Sequence, residues 1–341
     1  MKIAFVTYNT LYQRTGGLQA QIFETKAALE SRGHLVNIFN ENNELLSDYD
    51  IVHVFAIAHG NYIWVRECLK QQVPFVVSPV IQSLKGRTDY LKLKIFESIA
   101  DLILSGTPLA SVVYSMMSVK HALKSSGTLI AQTKLESESI AKAFGVNPSN
   151  IRIVPNGVSD LFTFSPNIVK SRYIFIPGSI YPHKNQLVVV QVACELGLEV
   201  RLVGEILDQS YFDQINSYPN VKYLGVLERH SPDLIRLYQE ATVTVLLSHG
   251  ETFGLVLLES LACGTPVIFT NKTSFTEVND PNCVVYISPN DKKKLAYELN
   301  RFFSSPVDGL VVSQVSKDYS WSAIGGFLEE IYLSQLKSQD K

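Results

Sequence analysis

Short apolar runs alternate with helical patterns along the whole chain, and this alternation constrains the fold more than any other feature. The runs are rich in β-branched and aromatic residues, which is typical of buried strands. A strand, a helix and a second strand in succession form a βαβ unit, which builds a parallel sheet with helices on its faces. The predicted strands are residues 2–8, 34–40, 50–58, 74–79, 128–133, 151–157, 172–178, 198–204, 221–225, 241–248, 266–270 and 283–288.

The pattern weakens between Phe164 and Ser171, and we predict a linker there. It separates two α/β halves of similar size, an N-terminal domain at 1–165 and a C-terminal domain at 170–318. The 341 residues and the 46% hydrophobic content are enough for two domains. Ligands in such sheets bind at the carboxyl ends of the strands, often between domains. The predicted fold class is therefore α/β, with doubly wound parallel sheets.

The overall composition excludes several classes of protein. A formal net charge of −2 gives no global basic field for nucleic acid. No apolar run approaches the length that spans a bilayer, and the first run resembles a core strand rather than a signal peptide. The four cysteines are widely spaced without a CxxC pair, which favours reduced thiols over disulfides or a zinc site. These features predict a cytoplasmic protein.

Residues 248–266 combine a strand end, a turn and a helix that is predicted from about Gly254 to Ala262. A helix N-terminus presents unpaired N–H groups and a partial positive charge, which suit a phosphate. A carboxylate would repel a phosphate, so we interpret Glu251 and Glu259 as acceptors for sugar hydroxyls. The structural alternative is a capping acid at Glu251 and a solvated acid on the helix face at Glu259.

Two further loops could approach an anionic ligand. Gly16 and Gly17 follow the first strand and permit close backbone approach, although a plain turn is the alternative. The sequence there lacks GxGxxG, so a dinucleotide fingerprint is not supported. In the second half, Gly178 ends a strand and Lys184 follows at the mouth of a helix. The ammonium of Lys184 could neutralise a phosphate, although a solvated lysine is the alternative.

Five motifs together give the chain a resemblance to glycosyltransferase family 4, whose members are retaining enzymes of the GT-B fold. E-x7-E alone is a weak signal, but LACGTPVI follows it here and the lysine motif precedes it. The resemblance covers nearly the whole length and implies two Rossmann-like domains that face a cleft. The motifs are GG at 16–17, VPNGV at 154–158, PGSxxxxKN at 177–185, E-x7-E at 251–259 and YSW at 319–321.

The resemblance also implies the role of each donor-site residue. Gly16 and Gly17 would lie against the donor diphosphate, and Lys184 would bind that diphosphate. Glu259 would hold the ribose hydroxyls of the donor, and Glu251 would contact hydroxyls of the transferred sugar. Glu251 and Lys184 are therefore the predicted catalytic residues. The remaining predicted donor contacts are Gly178, Ser179, Leu227 near the base, Phe253, Gly254 and Leu255.

The implied reaction retains the anomeric configuration and needs neither a metal nor a cofactor. Its transition state is oxocarbenium-like, and the helix N-terminus and Lys184 would stabilise the charge that grows on the leaving diphosphate. The implied partners are a nucleotide sugar and a glycan or lipid-linked acceptor, with no nucleic acid. The implied setting is surface polysaccharide biosynthesis in the cytoplasm, with peripheral contact at the inner face of the plasma membrane. The last helix, at about 320–341, would pack back on the N-terminal domain.

The sequence departs from the family pattern beside the lysine motif. Members of the family usually have an arginine directly after the glycine, but Ser179 stands here. One of two cationic partners of the diphosphate is therefore missing. By position alone, Arg14 and His183 are candidates to replace it.

A second departure concerns the acceptor side. Many members carry a histidine near the carboxyl end of the fourth strand, where this chain has Ser78. His53 and His59 lie on or after a neighbouring strand. We predict a buried structural role for His53 and leave the role of His59 open.

Two weaker features and two rival functions complete the analysis. Asp48 and Asp50 form a D-x-D pattern, for which a turn role is predicted over metal binding. The basic residues of a run at 85–94 could touch an anionic lipid, with a solvated helix face as the alternative. The run contains Lys85, Arg87, Lys92 and Lys94.

The rival enzyme function is a nucleotide-sugar epimerase or a phosphorylase on the same fold. The rival from another class, favoured by Ser179 and Ser78, is a non-catalytic sugar-nucleotide-binding or scaffold protein.

Overall fold

The computed structural model describes residues 1–13, 16–81 and 108–339. The chain forms two compact units, Met1–Asn156 with Trp321–Lys341, and Gly157–Ser320. The division lies at 156–157 rather than in the weakly patterned stretch at 164–171. The reason is that Val158 N–H donates to the carbonyl of Tyr319 at 2.7 Å, and Phe162 is buried in the core of the second unit.

The strands within the described residues correspond to the runs that the sequence predicts, with shorter ends. They are β1 (Lys2–Val6), β2 (Leu35–Ile38), β3 (Ile51–Phe55), β4 (Phe75–Ser78), β5 (Leu129–Ala131), β6 (Ile151–Ile153), β7 (Tyr173–Pro177), β8 (Glu199–Val203), β9 (Val221–Tyr223), β10 (Val243–Leu246), β11 (Val267–Thr270) and β12 (Val284–Ile287).

Helices connect these strands, with short 3₁₀ turns between some of them. A helical pattern that the sequence shows at 90–104 lies outside the described residues. The described α-helices are α1 (Gly17–Glu30), α2 (Tyr62–Gln71), α3 (Pro108–Ser125), α4 (Lys134–Phe144), α5 (Gln186–Glu195), α6 (Gln209–Asn216), α7 (Pro232–Glu240), α8 (Leu255–Ala262), α9 (Lys292–Ser304), α10 (Gly309–Gln314) and α11 (Trp321–Gln339).

Each unit contains one six-stranded parallel sheet. The strand order is β2-β1-β3-β4-β5-β6 in the first unit and β12-β11-β10-β7-β8-β9 in the second. In the second sheet the chain runs from β7 to β9 in one direction and then returns to the other side of β7 with β10. The topological switch point therefore lies between β7 and β10, and ligands of doubly wound sheets bind at such points.

Both faces of the second sheet are buried, which explains its continuous apolar strands. On β7, Ile174 and Ile176 pack into one core with Val245 of β10, while Phe175 faces the opposite core with Leu257 of α8. All five side chains are at most 1% exposed. The strand β7 is thus fixed on both sides, and the loop that follows it starts from a rigid position.

The last helix belongs to the first unit, where it packs on α1. Gly325 lies so close to α1 that an added Cβ would be 3.1 Å from the carbonyl oxygen of Ala28. Glu329 accepts hydrogen bonds from Arg32 Nε at 2.8 Å, and it lies 3.0 Å from the ring of His34. None of the helices in the described part of the chain is long and apolar enough to cross a membrane.

Candidate active site

The loops after β7 and β10, on either side of the switch point, bring a lysine and a glutamate together. Lys184 ends the 3₁₀ turn Pro182–Lys184, and its ammonium donates to Glu251 Oε1 at 2.6 Å. The two side chains are 21% and 13% exposed, so solvent screens this ion pair less than a surface pair. An ammonium carries three N–H donors, and the contact with Glu251 uses one of them.

The backbone of Glu251 is held by the loop that follows β11. Its N–H donates to the carbonyl of Lys272 at 2.9 Å, and its own carbonyl accepts from Ser274 N–H at 3.2 Å. The residue at the N-cap of α8 is Gly254, and no side chain caps this helix. The interpretation of Glu251 as a capping acid is therefore wrong, because its side chain pairs with Lys184 instead.

Gly254 shapes the N-terminus of α8. Its φ of 82° lies in the left-handed region, and an added Cβ would be 2.3 Å from Cζ of the buried Phe269. Phe253 stacks on Phe275 with ring centroids 3.9 Å apart. Within the described residues, the N–H groups of Phe253, Gly254 and Leu255 donate to no other group. This helix end therefore keeps free donors that an anion could accept.

Glu259, in the second turn of α8, is only 6% exposed. Its Oε1 accepts from Arg229 Nη2 at 2.8 Å, and its Oε2 accepts from the hydroxyl of Tyr238 at 2.8 Å. The interpretation of Glu259 as a solvated acid is therefore wrong. Burial, reinforced by the neighbouring Glu259, raises the pKa of Tyr238 well above 10, so this hydroxyl keeps its proton and donates.

Sequence reasoning did not identify Arg229 or Tyr238 as site residues. The position of Tyr238, four residues after Leu234 in α7, has the spacing of a core residue, and both side chains are buried. Arg229 lies two residues after Leu227, the predicted contact of the base. A cationic side chain so close to a predicted donor contact was the signal that could have identified Arg229.

The glycines that directly follow β7 and β8, Gly178 and Gly204, lie in close contact. Gly178 has a φ of 122°, and a Cβ added to Gly204 would be 2.1 Å from the carbonyl oxygen of Gly178. The carbonyl of Ser179 accepts from Gln186 Nε2 at 2.8 Å. The loop is thus rigid at this point, and residue 179 brings no cation to it.

His183 lies next to the Lys184–Glu251 pair, whereas Arg14, the other candidate for the missing cation, lies outside the described residues. The Nε2 atom of His183 is 3.0 Å from the carbonyl oxygen of Gly250, so this nitrogen carries the proton. The ring stacks on Tyr181 with centroids 5.9 Å apart. His183 therefore lies beside the predicted phosphate lysine, with its Nε2–H engaged by Gly250.

Leu227, which the family resemblance places near the nucleobase, lies in the segment that follows β9, and this segment contacts Gly204. The carbonyl of Gly225 accepts from Gly204 N–H at 2.9 Å. Leu227 packs against the core of the second unit, while Val226 is 67% exposed. Val226 is therefore the more accessible apolar side chain of this segment.

In the first unit, Gly16 and Gly17 stand at the N-terminus of α1. Gly16 has an extended backbone with a φ of 166°, and no side chain caps the helix. A Cβ added at either position would meet no atom within 4 Å. Neither the conformation of Gly16 nor the packing of either residue requires glycine, so contact with a ligand stays a prediction.

His53 has the structural role that its position predicts. It is 1% exposed, and its ring nitrogens lie 2.6 Å from the hydroxyl of Tyr332 and 2.7 Å from Ser78 Oγ. This prediction is confirmed, and Ser78 is part of the same buried network rather than a free side chain. His59 is exposed near Tyr8, with ring centroids 5.7 Å apart.

The carboxyl ends of β3 and β4 carry strained backbone. Ala56 and Val80 both have a φ of 51°, in the left-handed region. For a β-branched residue such as Val80 this conformation is an outlier, and strain of this kind clusters at functional sites. These loops, together with the exposed His59, are the candidate acceptor-side elements of the first unit.

The D-x-D pattern has the predicted turn role. Asp50 Oδ2 accepts from Lys2 N–H at 2.6 Å, and Asp48 Oδ2 accepts from Leu45 N–H at 3.4 Å. The two aspartates precede β3, and their carboxylates accept from the backbone N–H groups of Lys2 and Leu45, which confirms the turn role. In the described part of the chain, no three His, Cys, Asp or Glu side chains are grouped so that they could hold a metal ion. The basic run Lys85, Arg87, Lys92 and Lys94 lies outside the described residues.

Two buried groups of the first unit give it a testable pH dependence. Burial lowers the pKa of His53 to about 3, so in the folded state its proton uptake is suppressed, and stability is lost as pH falls below 6.5. Burial raises the pKa of Glu136 to about 7, although N–H donors from Gln132 and Ile81 oppose the shift. For Glu136, stability is lost as pH rises from 4.5 through 7.

Between about pH 4.5 and 6.5, His53 and Glu136 each change the free energy of unfolding by about 1.4 kcal/mol per pH unit. The two changes have opposite signs, so they cancel. We therefore expect Glu136→Gln to leave an unfolding free energy that rises with pH in this window. His53→Gln should leave one that falls. Urea unfolding of both variants and the wild type at a series of pH values measures these slopes, and equal slopes in all three proteins would contradict the assignment.

Comparison with known structures identifies the fold. Two solved chains superimpose on almost the whole molecule, sucrose-phosphate synthase from Thermosynechococcus elongatus (TM-score 0.71, 17% identity, 99% of each chain) and HepE of Anabaena in complex with UDP (TM-score 0.73, 14% identity, 98% of this chain and 100% of that chain). The architecture of two six-stranded parallel sheets flanked by helices is that of the GT-B glycosyltransferases.

The sequence comparisons identify the class of the second unit. Residues 159–315, which contain Lys184, Glu251 and Glu259, match the family Glycosyl transferases group 1. The D-inositol 3-phosphate glycosyltransferase of Pseudarthrobacter chlorophenolicus is 26% identical over 315 residues, which cover 75% of this chain and 74% of that relative. The second unit therefore carries a Glycosyl transferases group 1 domain, and the chain is an enzyme of the glycosyltransferase class.

Proposed function

We propose that this enzyme is a retaining glycosyltransferase of family 4 that transfers a sugar from a nucleotide-diphosphate sugar. The observation that carries this proposal is the ion pair of Lys184 and Glu251, at 2.6 Å, beside the uncapped N-terminus of α8. A cation and a hydroxyl acceptor so close together suit the junction of a diphosphate and a sugar. The chemistry of the reaction is centred on that junction.

Lys184 and Glu251 bind different parts of the donor. Two N–H donors of the Lys184 ammonium are left for phosphate oxygens, and the N–H groups at the start of α8 add further donors. Glu251 keeps one carboxylate oxygen for sugar hydroxyls. Glu259, eight residues further along, is the proposed acceptor for the ribose diol.

The proposed reaction moves charge in one direction. As the bond between the anomeric carbon and the leaving oxygen breaks, positive charge grows on the sugar ring and negative charge on the diphosphate. Lys184 and the N-terminus of α8 stabilise the second charge, because both are in place before the reaction. Glu251 is held by Lys184, so we assign it to binding the sugar rather than to covalent attack. The acceptor oxygen forms the new bond to the anomeric carbon, and the leaving phosphate takes the proton of the acceptor hydroxyl.

The relatives support particular substrates. HepE has been solved in complex with UDP, so uridine diphosphate sugars are the first donors to test. The relative from P. chlorophenolicus is named D-inositol 3-phosphate glycosyltransferase. For this chain we propose a glycan or lipid-linked acceptor in surface polysaccharide biosynthesis, on the cytoplasmic side and in peripheral contact with the membrane. This acceptor class follows from the family resemblance.

The proposal is tested by following the release of nucleoside diphosphate from UDP-glucose, UDP-galactose and GDP-mannose. We expect slow release from one of them without acceptor, at rates with EDTA and with added Mg²⁺ that agree within about twofold. Proton NMR at early times should show the released sugar in the anomeric form of the donor. Loss of activity in EDTA would contradict the metal-independent mechanism, and release of the opposite anomer would contradict retention.

A further inference from the structure

Glu259 is held from two sides by side chains that lie on separate elements. The hydroxyl of Tyr238, on α7, donates to Oε2, and Arg229, in the loop before α7, donates to Oε1. Each contact is 2.8 Å long, and each occupies one lone pair of its oxygen. Since a carboxylate oxygen has two lone pairs, each oxygen of Glu259 keeps one for a further hydroxyl.

Such an arrangement fixes the plane of the carboxylate. The terminal torsion of a glutamate is otherwise broad, so a free carboxylate samples many orientations. A vicinal diol can donate to both oxygens at once only if they face it together. Ordering the carboxylate before the ligand arrives removes that entropy cost from binding.

We propose that Tyr238 and Arg229 are positioning residues that hold Glu259 in the orientation required by the ribose diol of the donor. This inference rests on the proposed function, because it assumes that Glu259 receives the ribose. It adds two residues to the site, neither of which needs to touch the ligand itself.

Tyr238 is the rigid member of the pair. It is 1% exposed, and the rings of Phe162 and Phe175 pack nearly perpendicular to its ring, with centroids 5.7 Å and 4.9 Å away. Its backbone carbonyl accepts from Thr265 Oγ1 at 2.5 Å, which joins α7 to the loop before β11. The ring and the backbone are therefore both held in place, and the hydroxyl donates to Glu259.

Arg229 supplies charge as well as orientation. A carboxylate that is 6% exposed loses much of its hydration, and a guanidinium at 2.8 Å offsets that loss. The side chain of Arg229 is 31% exposed, and its Nε is buried without a hydrogen bond in the described residues. Arg229 is thus tethered at one end only, and we expect Tyr238 to contribute more to the orientation.

The readout is the ratio of the affinities for a ribose nucleotide and its deoxy forms. Titration calorimetry with UDP, 2′-deoxy-UDP and 3′-deoxy-UDP gives this ratio within one protein, so a general loss of stability does not change it. If UDP does not bind, the GDP and ADP series replace it. We expect at least about tenfold discrimination in the wild type, the value of one charge-assisted hydrogen bond.

Tyr238→Phe removes the hydroxyl and keeps the ring, and we expect the ratio to fall by about three- to tenfold. Arg229→Gln should lower it less. The matched control is Tyr286→Phe, which removes a hydroxyl that donates to the carbonyl of Val278 at 2.9 Å in the same core. This control should keep the wild-type ratio. If Tyr238→Phe does not fold, the affinity ratio of Arg229→Gln is measured instead, because the partly exposed Arg229 side chain is less important for folding.

Glu259→Gln separates this inference from the proposed function. A collapse of the ratio in Glu259→Gln, with wild-type ratios in Tyr238→Phe and Arg229→Gln, overturns the positioning role and leaves the proposed function intact. A wild-type ratio in Glu259→Gln overturns the ribose assignment itself. Absence of binding for every nucleotide overturns the donor site, and the inference with it.

Discussion

Replacing Lys184 by alanine is expected to lower the rate of sugar transfer by about a hundred- to a thousandfold. The leaving diphosphate gains negative charge in the transition state, and removing one fixed stabiliser of such charge costs about 3–4 kcal/mol. Position 179 offers no arginine to compensate, and among the described residues the neighbouring His183 is tied to the carbonyl of Gly250. The measurement is the initial rate of nucleoside diphosphate release at saturating donor.

The matched control is Lys292→Ala, at the start of α9. That lysine is exposed and donates to Gln191, so its removal should leave the rate within about twofold of the wild type. Lys184→Arg separates charge from shape and should recover part of the rate. Turnover of Lys184→Ala at the wild-type rate would be incompatible with the proposed role.

Gly254→Ala is expected to lower the free energy of unfolding by about 2–5 kcal/mol. The left-handed backbone costs about 1–2 kcal/mol for a residue with a Cβ, and the new methyl group would overlap the buried ring of Phe269 at 2.3 Å. Overpacking of this kind adds about 1–3 kcal/mol. Because the clash moves the N-terminus of α8, nucleotide affinity should fall as well. Urea unfolding and calorimetric titration measure the two effects.

Gly197→Ala is the control for this change. Gly197 has a φ of 66°, but an added Cβ meets no atom within 4 Å. Gly197→Ala therefore has the backbone cost of Gly254→Ala without the steric clash. We expect its free energy of unfolding to fall by only about 1–2 kcal/mol, with normal nucleotide binding. Equal losses in the two variants would show that the contact with Phe269 does not constrain the helix end.

Most of the fold was predictable because parallel strands are buried on both faces. Strands such as β7 and β11 are therefore continuous apolar runs that stand out from the helices. Helix α9 was not predicted, because it begins with three lysines. Its buried residues Leu295, Leu299 and Phe302 recur at helical spacing, and that was the signal for it.

Only the donor-site residues that belong to sequence motifs were predictable. The spacing of Glu251 and Glu259 indicated sugar chemistry, but their partners depend on tertiary structure. Lys184 approaches Glu251 from a loop 67 residues away in the sequence, and Tyr238 approaches Glu259 from a different helix. No local pattern specifies such pairs.

The glycine positions show the same limit. Sequence analysis singled out Gly178 but not Gly204, which directly follows the next strand and whose added Cβ would meet the carbonyl oxygen of Gly178. The need for glycine at 204 arises from sheet packing and cannot be read from its neighbours in the chain. The division between the compact units differs from the predicted linker for a similar reason, because the contact of Val158 with Tyr319 joins distant parts of the sequence.

The central claim is that the second unit binds a nucleoside diphosphate through Lys184, and thermal unfolding tests it most directly. The wild type and Lys184→Ala are heated with UDP, GDP, ADP, CMP and dTDP in turn. A ligand at about a hundred times its dissociation constant adds about 2.7 kcal/mol, which raises the midpoint by several degrees. The account predicts a rise with at least one nucleoside diphosphate that is lost in Lys184→Ala. An equal rise in the variant, or no rise with any nucleotide, would contradict it.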